Sequence, residues 1–193
     1  MSTSADPDVQ LMLAVQRGDE AAFDRLFEKH VAAVVRFARQ FVRSQSRAEE
    51  LAQDVFLQIY RNRSGYQPTA KFTTWLYRIV TNACLSEVRR PEHKLRVDPP
   101  ASAPDSEEPV RSVGTSDPNP EETLLSREAV DTIQRALEAL PPQQRAALLL
   151  ARVEGMSYED VAESVACSVS AVKSLIHRAT VTLRKKLKPE GES

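Results

Sequence analysis

Near the C-terminal end, Lys173, Ser174, His177 and Arg178 share one face of a stretch whose other face carries Val169, Val172 and Ile176. A helix presenting two cations, a hydroxyl and an imidazole can lie in the major groove of duplex DNA. There lysine or arginine donates to guanine acceptors, and serine or histidine reaches base edges or phosphates. Ser170 opens that face, and Arg184, Lys185, Lys186 and Lys188 follow it, suited to phosphate contacts. A second constellation interleaves cations with aromatic rings: Arg61, Arg63, Tyr66, Lys71, Phe72, Trp75, Tyr77, Arg78, Arg89 and Arg90. Rings can stack on unpaired bases while cations offset phosphate charge, which is the composition that single-strand binding needs. Phe72 and Trp75 also fit an apolar stripe and are expected in the core. Tyr66 lies in the loop 65–70 and is committed to no stripe.

No catalytic constellation accompanies these residues. His30, His93 and His177 are scattered without metal-ligand spacing, and the five glycines form no phosphate-cradling loop. Cys84 and Cys167 are too few for a disulfide framework or a four-thiolate zinc site, and their apolar helical surroundings suit small packing residues. The chain is therefore expected to be no enzyme and to hold no cofactor or metal.

The elements that must carry the two constellations are helical. With 193 residues and 41% hydrophobic content, the chain can bury one large core or two small ones. Val9, Met12 and Val15 suggest a first helix ending near Gly18. Asp19 can cap a second, along which Phe23, Leu26, Phe27, Val31, Val34, Val35, Ala38 and Val42 recur at three- and four-residue steps. Ser46 can cap a third, with Leu51, Val55 and Ile59 on one stripe and Phe56 and Tyr60 beside it. Phe72, Leu76, Ile79, Val80 and Ala83 line a fourth. Later, Ala129, Ile133, Ala136, Leu137 and Leu140 form another stripe, Pro141 and Pro142 can open a helix, and 146–151 reads as buried helix. Ser157 with Asp160 makes a capping box for the helix 158–165. A short break at 166–168 then leads to a last helix beginning near Ser168 or Ser170, the dimensions of a helix-turn-helix. Alternating strand patterns are absent, so the expected fold is all-α.

Charge and proline divide the chain. The net charge of −1 conceals segregation: 61–96 carries 8 basic and 2 acidic residues, whereas 97–123 carries 1 basic and 7 acidic. Seven of the 12 prolines lie between Pro91 and Pro120, where apolar periodicity vanishes. This predicts a helical domain over 1–90, an acidic proline-rich flexible linker over 91–123 and a second helical domain over 124–193. No apolar run is long enough to cross a membrane, and 1–10 lacks a secretory layout. A soluble, cytoplasmic protein is expected.

Two strings then carry a family resemblance. Residues 48–57, AEELAQDVFL, followed by 72–83, FTTWLYRIVTNA, resemble region two of bacterial sigma factors of the extracytoplasmic-function group. Leu140-Pro141-Pro142, 156–162 and 172–179 resemble region four of the same proteins, in the right order. The resemblance covers about 20–90 and 125–187. It implies an alternative sigma factor that binds core RNA polymerase, reads −35 and −10 promoter elements and nucleates strand separation.

By motif position, Glu50, Gln53, Asp54, Phe56 and Tyr60 would dock on the clamp helices of the polymerase β′ subunit, with Phe56 as an exposed aromatic anchor in a polar rim. The loop 65–71 would form a pocket for a base flipped from the −10 element, with Tyr66, Lys71, Arg78 and Asn82 at that strand. Ser170, Lys173, Ser174, His177 and Arg178 would read the −35 element. The sequence departs from the family pattern where Ala166 and Ser170 replace frequent glycines, Ser168 a proline and Leu175 an arginine. The resemblance also implies a contact to the polymerase β flap, duplex and single-stranded promoter DNA as ligands, an anti-sigma factor and a monomer when free. The linker could imitate nucleic acid in the polymerase cleft or serve as a soluble tether. Nothing after Ser193 suggests built-in regulation, so control is expected in trans.

A self-sufficient helix-turn-helix repressor or activator is the competing reading. It predicts a homodimer that binds duplex specifically on its own. The aromatic and basic run from Tyr66 to Asn82 favours the sigma reading, because a simple repressor has no need of it.

Overall fold

The computed structural model describes residues 6–42, 44–90 and 120–187, except for the side chains of 120–128. Its elements are all helical among the described residues: α1 (Pro7–Gln16), α2 (Glu20–Arg39), α3 (Gln45–Arg61), a 3-10 turn at Arg63–Gly65 and α4 (Phe72–Arg89). After the expected linker, of which 91–119 lies outside the described residues, come α5 (Pro120–Glu138), α6 (Pro142–Arg152), α7 (Tyr158–Ser164) and α8 (Val169–Leu187). Helix α5 thus begins inside the span assigned to the linker from sequence.

Local chemistry starts these helices where orphan amides need acceptors. Asp6 caps α1 through the Asp8 amide, and Asp19 caps α2 through the Ala22 amide at 3.0 Å. Ser44, rather than the expected Ser46, caps α3, and the Ser46 hydroxyl bonds to Ser44 instead. Pro142 stands in the first turn of α6, where a missing amide costs little. The Ser157 hydroxyl accepts from the Asp160 amide at 3.1 Å, starting α7 as its capping-box spacing requires.

Helices α1 and α7 stop in the same way. After α1, the Gly18 amide donates to the Val15 carbonyl and the Asp19 amide to the Ala14 carbonyl. After α7, the Ala166 amide donates to Glu163 and the Cys167 amide to Ala162. Both are left-handed Schellman stops. The first uses glycine at φ 97°, but the second forces alanine to φ 53°.

Two cores result. In the first, α2 packs along α3, and α1 and α4 close over them around Leu26, Val34, Val55, Ile59, Phe72 and Leu76, each nearly fully buried. Burying such a side chain stabilises by about 1.5–3 kcal/mol. Asp8 is buried with them, its carboxylate 2.6 Å from Lys29 Nζ and 2.9 Å from His30 Nε2, so α1 is tied to α2 by charge as well as packing. In the second core, α6 and α7 pack on α8 through Ala146, Leu150, Val161, Val172 and Ile176. On α5, Ala136 turns inward, as does Leu140 just beyond its end, whereas Val130 and Ile133 are exposed.

Candidate nucleic-acid and polymerase interfaces

The helix-turn-helix of α7 and α8 presents every residue of the expected −35 set together. Ser170, Lys173, Ser174, His177 and Arg178 are exposed along one face of α8, while Val172, Ile176 and Ala179 are buried on the other. The i, i+3, i+4 spacing of the two sets makes this partition, and the buried set seats α8 across α7. Arg184, Lys185 and Lys186 extend the cationic face through the last turn. Lys188 lies outside the described residues.

In the first domain, Lys71, Arg78 and Asn82 are exposed on one side of α4. Seven and four residues separate them, so they stack along one stripe. Tyr66 does not join them on the surface. It is buried, its ring packs edge-on against Trp75 at 4.8 Å, and its hydroxyl has no partner among the described residues. Burial, with Asp6 nearby, pushes its phenol up to about 12. Trp75, expected in the core, is half-buried beside it, and Phe72 is fully buried.

The loop carrying Tyr66 is fastened at both ends by α1. The Gln16 amide donates to the Ser64 carbonyl at 2.9 Å and the Tyr66 carbonyl at 3.2 Å. Asp6, already the cap of α1, also accepts the Phe72 amide at 3.1 Å and so starts α4, whose own preceding residue offers no side-chain cap. A single carboxylate thereby opens two helices. No local signal in the sequence marks this, because its partner lies 66 residues away.

On α3, Glu50, Gln53 and Asp54 are exposed as expected for a docking face, but Phe56 is not. It is 2% exposed and meets Phe27 edge-on at 5.0 Å, with Phe23 beyond at 6.4 Å. The reason is register: Phe56 lies four residues after Ala52 and three before Ile59, both buried. The apolar residue exposed beside Glu50, Gln53 and Asp54 is Leu57, half exposed, seven residues after Glu50. Tyr60 is half-buried, its ring against Phe23 and beneath the Arg63 guanidinium at 4.3 Å. Arg47 pairs with Glu50 at 2.7 Å and Glu87 at 2.8 Å. Those carboxylates hold its guanidinium well above the ordinary range and lock α3 to α4.

The second domain also carries an apolar groove of about 640 Å³ between α5, α6 and α8, lined by Leu137, Leu148, Leu149, Val153, Leu183 and Leu187, with Arg152 and Arg184 at its rim. Val153 stands exposed two residues beyond the run 146–151.

The two domains touch. Asp160 accepts from Thr74 Oγ1 at 2.9 Å and Lys71 Nζ at 3.0 Å, Glu154 accepts from the Tyr77 hydroxyl, and Ser164 Oγ lies 3.2 Å from the Thr74 carbonyl. Burial acts to raise the Asp160 carboxyl. The hydrogen bonds from Lys71, Ser157 and Thr74 together outweigh it and hold the group below the usual aspartate range. Burial and the Glu154 contact push the Tyr77 phenol far up. Arg145, 8% exposed, donates to the Gln40 carbonyl at the end of α2 and to the Glu138 and Leu140 carbonyls at the end of α5. Its burial lowers the guanidinium from its ordinary value.

Among the described residues no group of histidine, cysteine and acidic side chains could hold a metal ion, and no helix is long and apolar enough to cross a membrane. A helical bundle joined to a helix-turn-helix with an exposed cationic face defines a two-domain DNA-binding protein. The chain matches sigma-70 region 2 over residues 26–93 and sigma-70 region 4 over residues 131–183. It is 34% identical to the RNA polymerase sigma-H factor of Pseudomonas aeruginosa over 189 residues, covering 95% of each chain. It is 31% identical to the ECF RNA polymerase sigma-E factor of Escherichia coli K12 over 186 residues, covering 94% of this chain and 95% of that one. Its fold is similar to that of CnrH, solved in complex with the cytosolic domain of CnrY, with a TM-score of 0.69 at 23% identity over 94% of this chain and 97% of that one. The chain belongs to the sigma-70 family, in its extracytoplasmic-function group.

Proposed function

We propose that this chain is an alternative sigma factor acting in the cytoplasm, which recruits core RNA polymerase to −35 and −10 promoter elements and nucleates melting between them. The observation that carries this reading is the presence in one chain of regions 2 and 4 in order, each with an exposed cationic stripe on a single helix. On α8, Ser170, Lys173, Ser174, His177 and Arg178 read the −35 duplex, and the last-turn cations contact phosphates. On α4, Lys71, Arg78 and Asn82 hold the melted −10 strand. The amide of Asn82 both donates to and accepts from a base edge. Tyr66, buried in the loop, acts as the wall against which a flipped base would rest, while its backbone is held by Gln16.

Polymerase docking falls to the face of Glu50, Gln53, Asp54 and Leu57 on α3, which meets the β′ clamp helices. The groove between α5, α6 and α8 has the apolar lining and cationic rim to receive a helix of the β flap. One similar structure is the sigma factor RpoE of Bartonella quintana in complex with the anti-sigma factor NepR, at a TM-score of 0.64 and 23% identity over 87% of this chain and 98% of that one. An anti-sigma factor acting on this chain would cover the same two docking faces.

A promoter-library transcription reaction with purified chain and core polymerase tests the proposal. Promoter-specific transcripts that require both proteins would support it and yield both elements at once. Tight specific duplex binding by a homodimer of the chain alone, without polymerase-dependent transcription, would instead favour a helix-turn-helix repressor.

A further inference from the structure

The seam between the domains is built from side chains that reading a promoter would need free. Along α4, Lys71, Arg78 and Asn82 form the exposed stripe, and Thr74 and Tyr77 form the adjacent one, both buried with α6 and α7 against them. Asp160 gives Lys71 and Thr74 what a backbone phosphate would give them, two anionic oxygens at 3.0 and 2.9 Å from an ammonium and a hydroxyl. Glu154 does the same for the Tyr77 hydroxyl. A phosphate of the −10 strand and the Asp160 carboxylate therefore compete for Lys71.

Length makes the conflict complete. Elements centred at −35 and −10 lie about 25 base pairs apart, roughly 85 Å of B-form DNA at 3.4 Å per step. A compact particle of this chain's size has a radius of gyration of about 16 Å. With α7 seated on α4, the faces of α4 and α8 cannot reach both elements. Separation is sterically available, because the chain between Arg90 and Pro120 can extend to at most about 100 Å.

We infer that the free chain latches itself shut, with Asp160 and Glu154 of the second domain acting as phosphate surrogates on α4, and that promoter strand and core polymerase open it by displacing them. This rests on α4 being the strand-binding helix. The outer closing contact, between Lys71 and Asp160, suits a reversible latch, whereas the Arg145 bond to Gln40 crosses the seam buried. Lys71 is 60% exposed in its pair with Asp160, and such pairs are weak and screened by salt.

Small-angle X-ray scattering on the full chain reads the latch without any DNA. Wild type is expected to be compact. Lys71→Glu, at an exposed residue whose side chain caps no helix, sets two carboxylates face to face and is expected to raise the radius of gyration. Adding Asp160→Lys to that variant should close it again. Circular dichroism separates opening from loss of the α7 cap. Thr74→Val, which removes a seam donor and leaves that cap intact, is expected to open the chain in part. A wild-type chain that is already extended, or a radius unchanged in both Lys71→Glu and Thr74→Val, would overturn the latch.

The second arm measures anisotropy of a labelled single-stranded oligonucleotide of mixed sequence. Asp160→Asn with Glu154→Gln is expected to bind it several-fold more tightly than does Glu159→Gln with Glu163→Gln, an equal charge change at exposed positions on α7. Equal affinities would overturn the surrogate role. If scattering showed opening all the same, the failure would fall on α4 as the strand-binding helix and not on the latch.

Discussion

Replacing Ala166 with glycine should stabilise the helix-turn-helix. Ala166 closes α7 in a Schellman stop at φ 53°, a region where a Cβ crowds the following carbonyl. For an L-residue this costs about 1–2 kcal/mol. Glycine removes that strain but leaves the unfolded chain freer, an opposing effect of about 0.4–1 kcal/mol. The methyl group is exposed, so little apolar contact is lost with it. The net expectation is a gain of about 0.5–1 kcal/mol. For a domain of this size that shifts the midpoint upward by roughly 3–6 °C. Differential scanning calorimetry of the full chain would read it in the second-domain transition. The reciprocal change, Gly18→Ala, tests the same reasoning in the first domain. A Cβ built at Gly18 meets nothing within 4 Å, so only backbone strain at φ 97° would be felt, and that transition should fall. An unchanged or lower midpoint for Ala166→Gly would refute the account.

Other consequences are equally direct. Ala at both Lys173 and Arg178 should lower the slope of duplex affinity against salt by about 2, one phosphate-scale contact for each cation, and should abolish −35-dependent transcription. It should leave polymerase co-purification intact, and an unchanged slope would remove α8 as the reading helix. Asp54→Arg or Leu57→Glu should weaken association with core enzyme by about tenfold or more, as loss of an interface anchor does. Unchanged co-purification would place the docking face elsewhere. Tyr66 ionises at about 12 in the folded protein, because burial disfavours the phenolate. Its folded value is raised above the ordinary value of about 10, so its contribution to stability is full below that pH and is lost as pH rises through about 12. Alkaline titration followed by tyrosinate absorbance should show Tyr66 ionising late and Tyr77 later still, both returning to the ordinary range in denaturant. Asp160 behaves in the opposite sense. Its folded value is depressed, so the seam is intact at neutral pH and should loosen as acid protonates that carboxyl, seen as a rise in the radius of gyration.

The helices and their inward stripes could be read from the sequence because amphipathic periodicity is a local property. Asp19, Ser157 and the turn at Ala166 all stand where spacing placed them. The exposed cationic face of α8 was legible for the same reason, since a helix whose buried side is fixed leaves only one side to face outward. Phe56 shows where type alone misleads. An aromatic residue among carboxylates looks like an anchor, but a one-residue step along α3 exchanges it for Leu57. The burial of Tyr66 could not be read, because loops have no period and it depends on Trp75, nine positions on. The seam left no trace at all. Asp160 was visible only as half of a capping box, and its bonds to Thr74 and Lys71 span more than 85 residues.

Gln16 and Asp6, which fasten the loop of Tyr66 from α1, bear on the thermodynamics of base capture. An unrestrained loop of this length must surrender its own conformational freedom at the moment a ligand arrives, about 1–2 kcal/mol for each residue ordered. Here that surrender takes place during folding, drawn from the core that seats α1 against α2 and α4. A base leaving the stack then loses only its own freedom and its stacking, and it arrives at a receptacle already shaped. If the loop receives a flipped base as proposed, the first helix, remote in sequence from the loop, would serve melting as its preorganising element.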